Sequence, residues 1–249
     1  MQEVQTPSPP LTNTFLSAAG QVQLVFQRVT NHPLFNQLSG FLPAGYFLLL
    51  VMTEGHDLLR LLEKPLATTE AEVHIFAAAA STIGKMLFMS LIAVLFLIRK
   101  PPIRKAPGVQ PRLTAMAGTF LLMAIVLLPT PEATLWQSLL GLGLVAIGSA
   151  FSVVAIGYLG RSFSIMAEAR ELVTHGVYSH IRHPLYLAEE VAVIGAIVIY
   201  FSPLAILLLL IHIALQIQRM RNEESVLGQT FPEYEAYKAR TARVIPGVY

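Results

Sequence analysis

The last third of the chain gathers most of the side chains able to bind or polarise a ligand, in a sequence otherwise dominated by aliphatic residues. It reads Gly160-Arg161-Ser162-Phe163, then Gly176-Val177-Tyr178, then Arg182-His183-Pro184-Leu185-Tyr186-Leu187-Ala188-Glu189-Glu190. After an apolar stretch come Glu223-Glu224, Leu227, Phe231, Tyr234 and Tyr237. His212, Gln216, Arg219 and Glu223 are spaced by four, three and four, which puts all four on one face of a continuous helix. The remaining faces are Leu and Ile, so a polar stripe runs along an apolar helix. An imidazole placed in lipid needs a hydrogen-bond partner. This spacing predicts a ligand-facing stripe rather than an ordinary surface pair of Arg219 with Glu223, which would contribute little. Glu189 and Glu190 sit at the edge of another apolar block, where ionisable groups carry function or need a partner.

Some chemistries are excluded at once. Cys is absent, so disulfides, thiolate nucleophiles and Cys-based zinc sites are out. His175, His180 and His183 lack the i, i+4 spacing of a helical zinc site and have no evident carboxylate partner, so no metal is expected. Net charge is only +2, which gives no nucleic-acid footprint.

The elements that must position these groups are membrane helices. Hydrophobic residues make up 54% and charged residues 13% of the 249 positions, about half the ~25% charge of soluble domains. The apolar blocks are Phe41 to Met52, Ile75 to Ile98, Leu113 to Leu128, Leu135 to Leu159, Leu185 to Phe201 and Leu204 to Ile217. They predict an all-α polytopic bundle of six spans, or five if the first lies in the interface. Ser202-Pro203 should turn the last two into a hairpin, and His183-Pro184 should begin the fifth, since Pro fits a first helical turn. Gly228 is expected to end the long last helix, and Thr230-x-x-Glu233 reads as a capping box for a short helix bearing Tyr234 and Tyr237. Small residues from Gly141 to Gly157 predict close helix packing in the fourth block. Lys85 sits within the second block and is expected either to pair with Glu189 or Glu190 or to snorkel.

Basic residues cluster after the second, fourth and sixth blocks. Glu54, Asp57, Glu63, Glu70 and Glu72 lie between the first two. The positive-inside rule then places both termini and the basic loops in the cytosol. Residues 1–14 carry no Lys or Arg, unlike a cleaved signal peptide, and read as a tail. The expected organisation is a tail with room for an interfacial helix over 1–40, spans one to four over 41–156, and a functional region over 157–249 with a cytosolic helical end.

The ordered set of residues resembles a family of membrane enzymes. Isoprenylcysteine carboxyl methyltransferases and related phospholipid methyltransferases share the form G-x-Y-x-x-x-R-H-P-x-Y, an apolar hairpin, then E-E-x-x-L-x-x-x-F-x-x-Y-x-x-Y. Here those positions are Gly176, Tyr178, Arg182, His183, Pro184 and Tyr186, then Glu223, Glu224, Leu227, Phe231, Tyr234 and Tyr237. The resemblance covers roughly 157–249. One departure is Ala188, where the family commonly has Gly.

The resemblance implies S-adenosyl-L-methionine as cofactor and methyl transfer to a lipophilic acceptor drawn from the bilayer. The acceptor would be a prenylcysteine-type carboxylate or a phospholipid-type amine. Tyr178, His183, Pro184, Tyr186, Gln216, Arg219, Glu223, Glu224, Leu227 and Tyr234 are the implied cofactor-binding residues. Glu223 or Glu224 would take ribose hydroxyls or the ammonium, Arg182 or His183 the carboxylate, and Tyr186 and Tyr234 the adenine. Arg161 or Arg182 would position an acceptor carboxylate, whereas Glu189 or Glu190 would take the proton of an amine. The rival readings are an NADPH-dependent reductase of the sterol-reductase-like type and a non-catalytic membrane scaffold.

Overall fold

Side-chain caps fix where three of the helices begin. A computed structural model describes residues 33–64, 68–127 and 133–247, together with residue 21. The expected tail over residues 1–14 lies outside them. The chain divides into two compact units, 1–41 and 42–249, and the site lies wholly in the second.

Helix α1 (Pro33–Leu62) is longer than the apolar block that predicted it. Helix α2 (Thr69–Ile98) opens on Thr68, whose side chain accepts from the Ala71 amide at 3.2 Å, with Glu70 and Glu72 in the first turn favouring the dipole. Helix α3 (Gln110–Phe120) gives way to a 3-10 segment, Leu121–Leu127, so the third block is not one regular helix. Helix α4 (Leu135–Leu159) begins in a full capping box between Thr134 and Gln137. Helix α5 (Pro184–Ile199) starts on Pro184, as the sequence predicts. Helix α6 (Pro203–Thr230) starts at the expected turn, where the Ser202 hydroxyl accepts from the Ala205 amide at 3.1 Å.

Three of these stretches are long and apolar enough to cross a membrane: Thr69–Ile98, Leu135–Ser162 and Pro203–Thr230. Two expectations at the C-terminal end fail. Helix α6 continues through Gly228 to Thr230, because Thr230 donates its hydroxyl back to the Val226 carbonyl at 2.7 Å instead of capping the next helix. Helix α7 (Tyr234–Arg240) begins at Glu233 with no side-chain cap. Glu54 and Asp57, expected in a loop, are inside α1, and Glu54 accepts from Lys85 at 2.6 Å. Lys85 therefore pairs with α1 and not with Glu189 or Glu190.

Packing follows residue size. A side chain on Gly195 would collide with the Gly141 carbonyl at 2.6 Å, and one on Gly148 with the Ala192 amide at 2.5 Å and the Ala188 carbonyl at 2.7 Å. Thus α4 and α5 touch backbone to backbone, the arrangement small residues permit in lipid. The close approach at Ala188 comes from α4. Beside them Phe96 stacks on Phe47 (6.2 Å between centroids) and meets Phe163 edge-on at 5.8 Å. Two short strands form in a chain whose sequence predicts only helices. Strands β1 (Arg104–Lys105) and β2 (Glu168–Ala169) pair antiparallel, Arg104 opposite Ala169, and tie the basic loop after α2 to the segment after α4.

Candidate functional site

The site is built where the segment before α5 is clasped by the chain end. Ile181 forms a parallel bridge with Ala242. The Arg182 amide donates to the Ala242 carbonyl at 2.9 Å, and the His183 amide to the Arg243 carbonyl at 3.0 Å. The Tyr237 hydroxyl donates to the Tyr178 carbonyl at 2.7 Å. Gly176, at φ +60, makes the turn before Tyr178 in a region that favours glycine, with the Tyr158 ring 2.1 Å from where a Cβ would stand. Burial pushes the phenols of Tyr178, Tyr234 and Tyr237 up, that of Tyr237 to about 12. All three are therefore neutral hydroxyls at physiological pH.

Side chains close the clasp around Glu224. Its Oε1 accepts from Arg182 Nε at 2.9 Å and Arg243 Nε at 2.9 Å, and lies 3.2 Å from His183 Nε2. Its Oε2 accepts from Arg243 Nη2 at 2.6 Å. Arg182 is further bound through Nη1 to the carbonyls of Lys238, at 3.0 Å, and Thr241. Both oxygens of this carboxylate are engaged, Oε1 by three partners, and the same contacts engage Arg182 and His183.

The neighbouring Glu223 differs. It accepts from the Tyr186 hydroxyl at 3.2 Å and lines a cavity of about 560 Å³. Tyr178, Arg182, His183, Tyr186, Glu189 and Arg219 line the same polar end. Arg219 stacks its guanidinium 5.1 Å from the centroid of Tyr186 and donates to Gln216 Oε1 at 2.7 Å, while Gln216 donates to Glu189 at 3.2 Å. The other end is aliphatic, walled by Leu142, Val145, Val193, Ala196 and Ile199. The stripe predicted on α6 faces inward: His212, Gln216 and Arg219 are buried. No metal-binding group of three or more His, Asp or Glu occurs among the described residues.

Several sequence candidates lie elsewhere. Arg161 is exposed, donates to the Ile98 carbonyl at 2.8 Å and is not among the lining residues. Pro184 shapes the start of α5 and Leu227 packs on Ala169 and Val226; neither is among the lining residues. Tyr234 is almost fully buried beneath the clasp. Glu190 turns from the cavity towards His212, with Oε1 3.1 Å from Nε2 but without hydrogen-bond geometry. Sequence reasoning missed Arg243, which stands apart from any motif. It also missed Glu168, which reaches the cavity and pairs with buried Arg170 at 2.5 Å.

The chain is similar to known proteins. The model of the isoprenylcysteine carboxyl methyltransferase (ICMT) family matches residues 140–229. The chain is 32% identical over 134 residues to protein-S-isoprenylcysteine O-methyltransferase A of Arabidopsis thaliana, covering 51% of this chain and 68% of that protein. A probable protein-S-isoprenylcysteine O-methyltransferase of Oryza sativa subsp. japonica is 30% identical over 128 residues, 49% of this chain and 67% of the relative. The nickel-cobalt-cadmium resistance protein NccN of Alcaligenes xylosoxydans xylosoxydans is 32% identical over 115 residues, 46% of this chain and only 50% of the relative. The match thus spans half of the bacterial relative and about two thirds of the plant ones. By its ordered motif, its clasped site and these likenesses, the chain belongs to the isoprenylcysteine carboxyl methyltransferase family.

Proposed function

We propose that the chain is an integral membrane methyltransferase that uses S-adenosylmethionine to methylate a lipophilic acceptor of the S-isoprenylcysteine type. The observation that carries this reading is one cavity with a charged end under the clasp and an aliphatic end between α4 and α5. A cofactor with charged and apolar parts, and an acceptor with a long apolar chain, need that combination.

The residues fit S-adenosylmethionine. Tyr178 Oη and Arg219 Nε are buried with no hydrogen-bond partner in the protein, and such orphaned groups call for one. Glu223 offers acceptor oxygens for ribose hydroxyls or an ammonium, Arg219 a donor for a carboxylate, and Tyr186 an aromatic edge. Bound there, the cofactor supplies an electrophilic methyl group on a sulfonium. Tyr186, Glu189 and Arg219 would orient the partners, and the apolar walls would keep water from the acceptor oxygen. Glu224, Arg182 and His183 act through the shape they give the loop.

The same reading completes the topology. Helix α1, the α3 segment with its 3-10 continuation, and α5 join the three long apolar helices to make six spans, with both termini and the clasp in the cytosol. The position of Glu189 in the cavity favours a second acceptor class, a phospholipid-type amine, whose proton it would take.

The test is made on protein reconstituted in lipid. S-adenosylhomocysteine should bind in calorimetry, and labelled methyl should pass from S-adenosylmethionine to N-acetyl-S-farnesylcysteine. Label in extracted phospholipids instead would select the amine reading. Neither binding nor transfer would defeat both, and binding of NADPH in their place would restore the reductase.

A further inference from the structure

A second polar wall faces the charged end of the cavity, built from helices outside the residues that match the family. Lys85 of α2 and Glu54 of α1 form an ion pair with Nζ and Oε2 2.6 Å apart, and both line the cavity. Their side chains remain 34% and 24% exposed, so the pair is not sealed between helices. Two close contacts set its depth. A Cβ on Gly84 would lie 3.1 Å from Ser149 Cβ of α4, and a Cβ on the adjacent Gly148 would lie against Ala188 and Ala192 of α5. Lys85, next to Gly84, therefore stands at the level of the turn bearing Glu189, on another wall of the same chamber.

The cations of the cavity are not equally committed. Arg182 binds Glu224 and two backbone carbonyls. Arg219 binds Gln216 and the Ile165 carbonyl (3.4 Å) and lies on the Tyr186 ring. The ammonium of Lys85 has three N–H donors, and Glu54 occupies one direction. A charged residue within an apolar bundle marks a substrate path more often than a structural need. The contact with Glu54 fixes the position of the ammonium.

We propose that Lys85, held by Glu54, seats the anionic end of the acceptor and makes the chain selective for lipophilic carboxylates over neutral lipophiles of the same shape. This rests on the methyltransferase reading above and adds the residue that chooses the acceptor. It also favours the carboxylate over the amine, which would find a second cation in its path.

The experiment uses the full chain in lipid, with N-acetyl-S-farnesylcysteine as acceptor and its carboxamide as a neutral competitor. Lys85→Met should raise KM for the carboxylate at least about tenfold, the scale of one charge-assisted hydrogen bond. The carboxamide Ki and the affinity for S-adenosylhomocysteine should stay unchanged. Lys85→Arg should bring KM most of the way back. Because Lys85→Met alone leaves Glu54 uncompensated, Glu54→Met/Lys85→Met is measured beside it. Removing both charges is much milder for folding than removing one, and the double variant should show the same KM rise at near wild-type thermal stability. An unchanged KM in the double variant overturns the proposal, as does equal loss of carboxylate and carboxamide affinity, which would mean a distorted chamber. A wild-type chain that fails to bind S-adenosylhomocysteine overturns the methyltransferase reading instead.

Discussion

The adjacent glutamates at 223 and 224 should separate into a ligand residue and a structural one, and the size of the difference follows from their partners. Glu224 meets Arg182, Arg243 and the imidazole of His183 at once, and the side chains of Glu224, Arg182, His183 and Arg243 are 7%, 9%, 4% and 18% exposed. Glu224→Ala leaves two guanidinium groups facing each other with their carboxylate gone. Breaking a buried pair from one side costs about 3–5 kcal/mol. For a chain of this length that lowers Tm by roughly 6–20 °C, at about 2–4 °C per kcal/mol. The loss should be local, so amide exchange should accelerate in residues 176–186 and 234–243 before the helices open. Glu223→Gln should leave Tm within about 2 °C, since it keeps an oxygen to accept the one hydrogen bond from Tyr186. It should nonetheless weaken S-adenosylhomocysteine binding about tenfold or more, by removing a charge-assisted contact. Thermal unfolding, amide exchange and calorimetry on both variants decide the matter. If Glu224→Ala keeps wild-type Tm and protection, or Glu223→Gln unfolds as early as Glu224→Ala, the division of roles is wrong.

Other consequences are more local. Gly195→Val drives a branched side chain into the Gly141 carbonyl and the Val145 amide. It should cost at least about 1–3 kcal/mol by overpacking, seen as earlier unfolding in denaturing detergent, while Gly143→Ala, with nothing within 4 Å, should be silent. Gly176→Ala adds both a strained φ and a clash with Tyr158, and should cost about 1–3 kcal/mol and reduce methyl transfer more than overall helicity. Tyr237 ties the clasp to Tyr178, and burial raises its phenol to about 12. The folded chain thus holds a proton that the unfolded chain, near 10, gives up. The resulting stability is intact below pH 10 and is lost as pH rises through about 12. Tyr237→Phe should flatten that alkaline slope while losing about 1 kcal/mol at neutral pH, measured by unfolding between pH 8 and 11.5.

How much of this was legible in the sequence depended on whether the signal was local. The start of α5 at His183-Pro184 and the hairpin turn at Ser202-Pro203 were readable because proline and serine act on the next few residues, and the bounds of α4 because its apolar run is continuous. The inward stripe on α6 was readable because helical periodicity is fixed. Lys85 was visible as an anomaly, but its partner was not, since Glu54 lies 31 positions away and looked like part of a loop. The parts played by Glu223 and Glu224 were unreadable for the same reason. Two identical neighbours on a helix point about 100° apart, and only the chain end decides which of them meets Arg243. The surroundings of Arg161 were unreadable from its motif, since its guanidinium meets the end of α2 through the Ile98 carbonyl, 63 positions away.

The extent of the family match sharpens this point. Residues 140–229 contain Arg182, Glu189, Arg219, Glu223 and Glu224, yet Glu224 cannot shape the loop without Arg243, Thr241 and Lys238, which lie beyond the match. The chamber also lacks a wall without Tyr46, Phe47, Glu54 and Lys85, which lie before it. On the proposed reading the matching segment would supply the faces for a cofactor, and the flanking segments closure on one side and acceptor contacts on the other. Grafting helices α1 to α3 from a relative onto residues 135–249 should then alter which lipophile is methylated while leaving S-adenosylhomocysteine affinity nearly constant. If cofactor affinity changed with the graft while acceptor choice did not, the two sides of the chamber would have to be exchanged in this account.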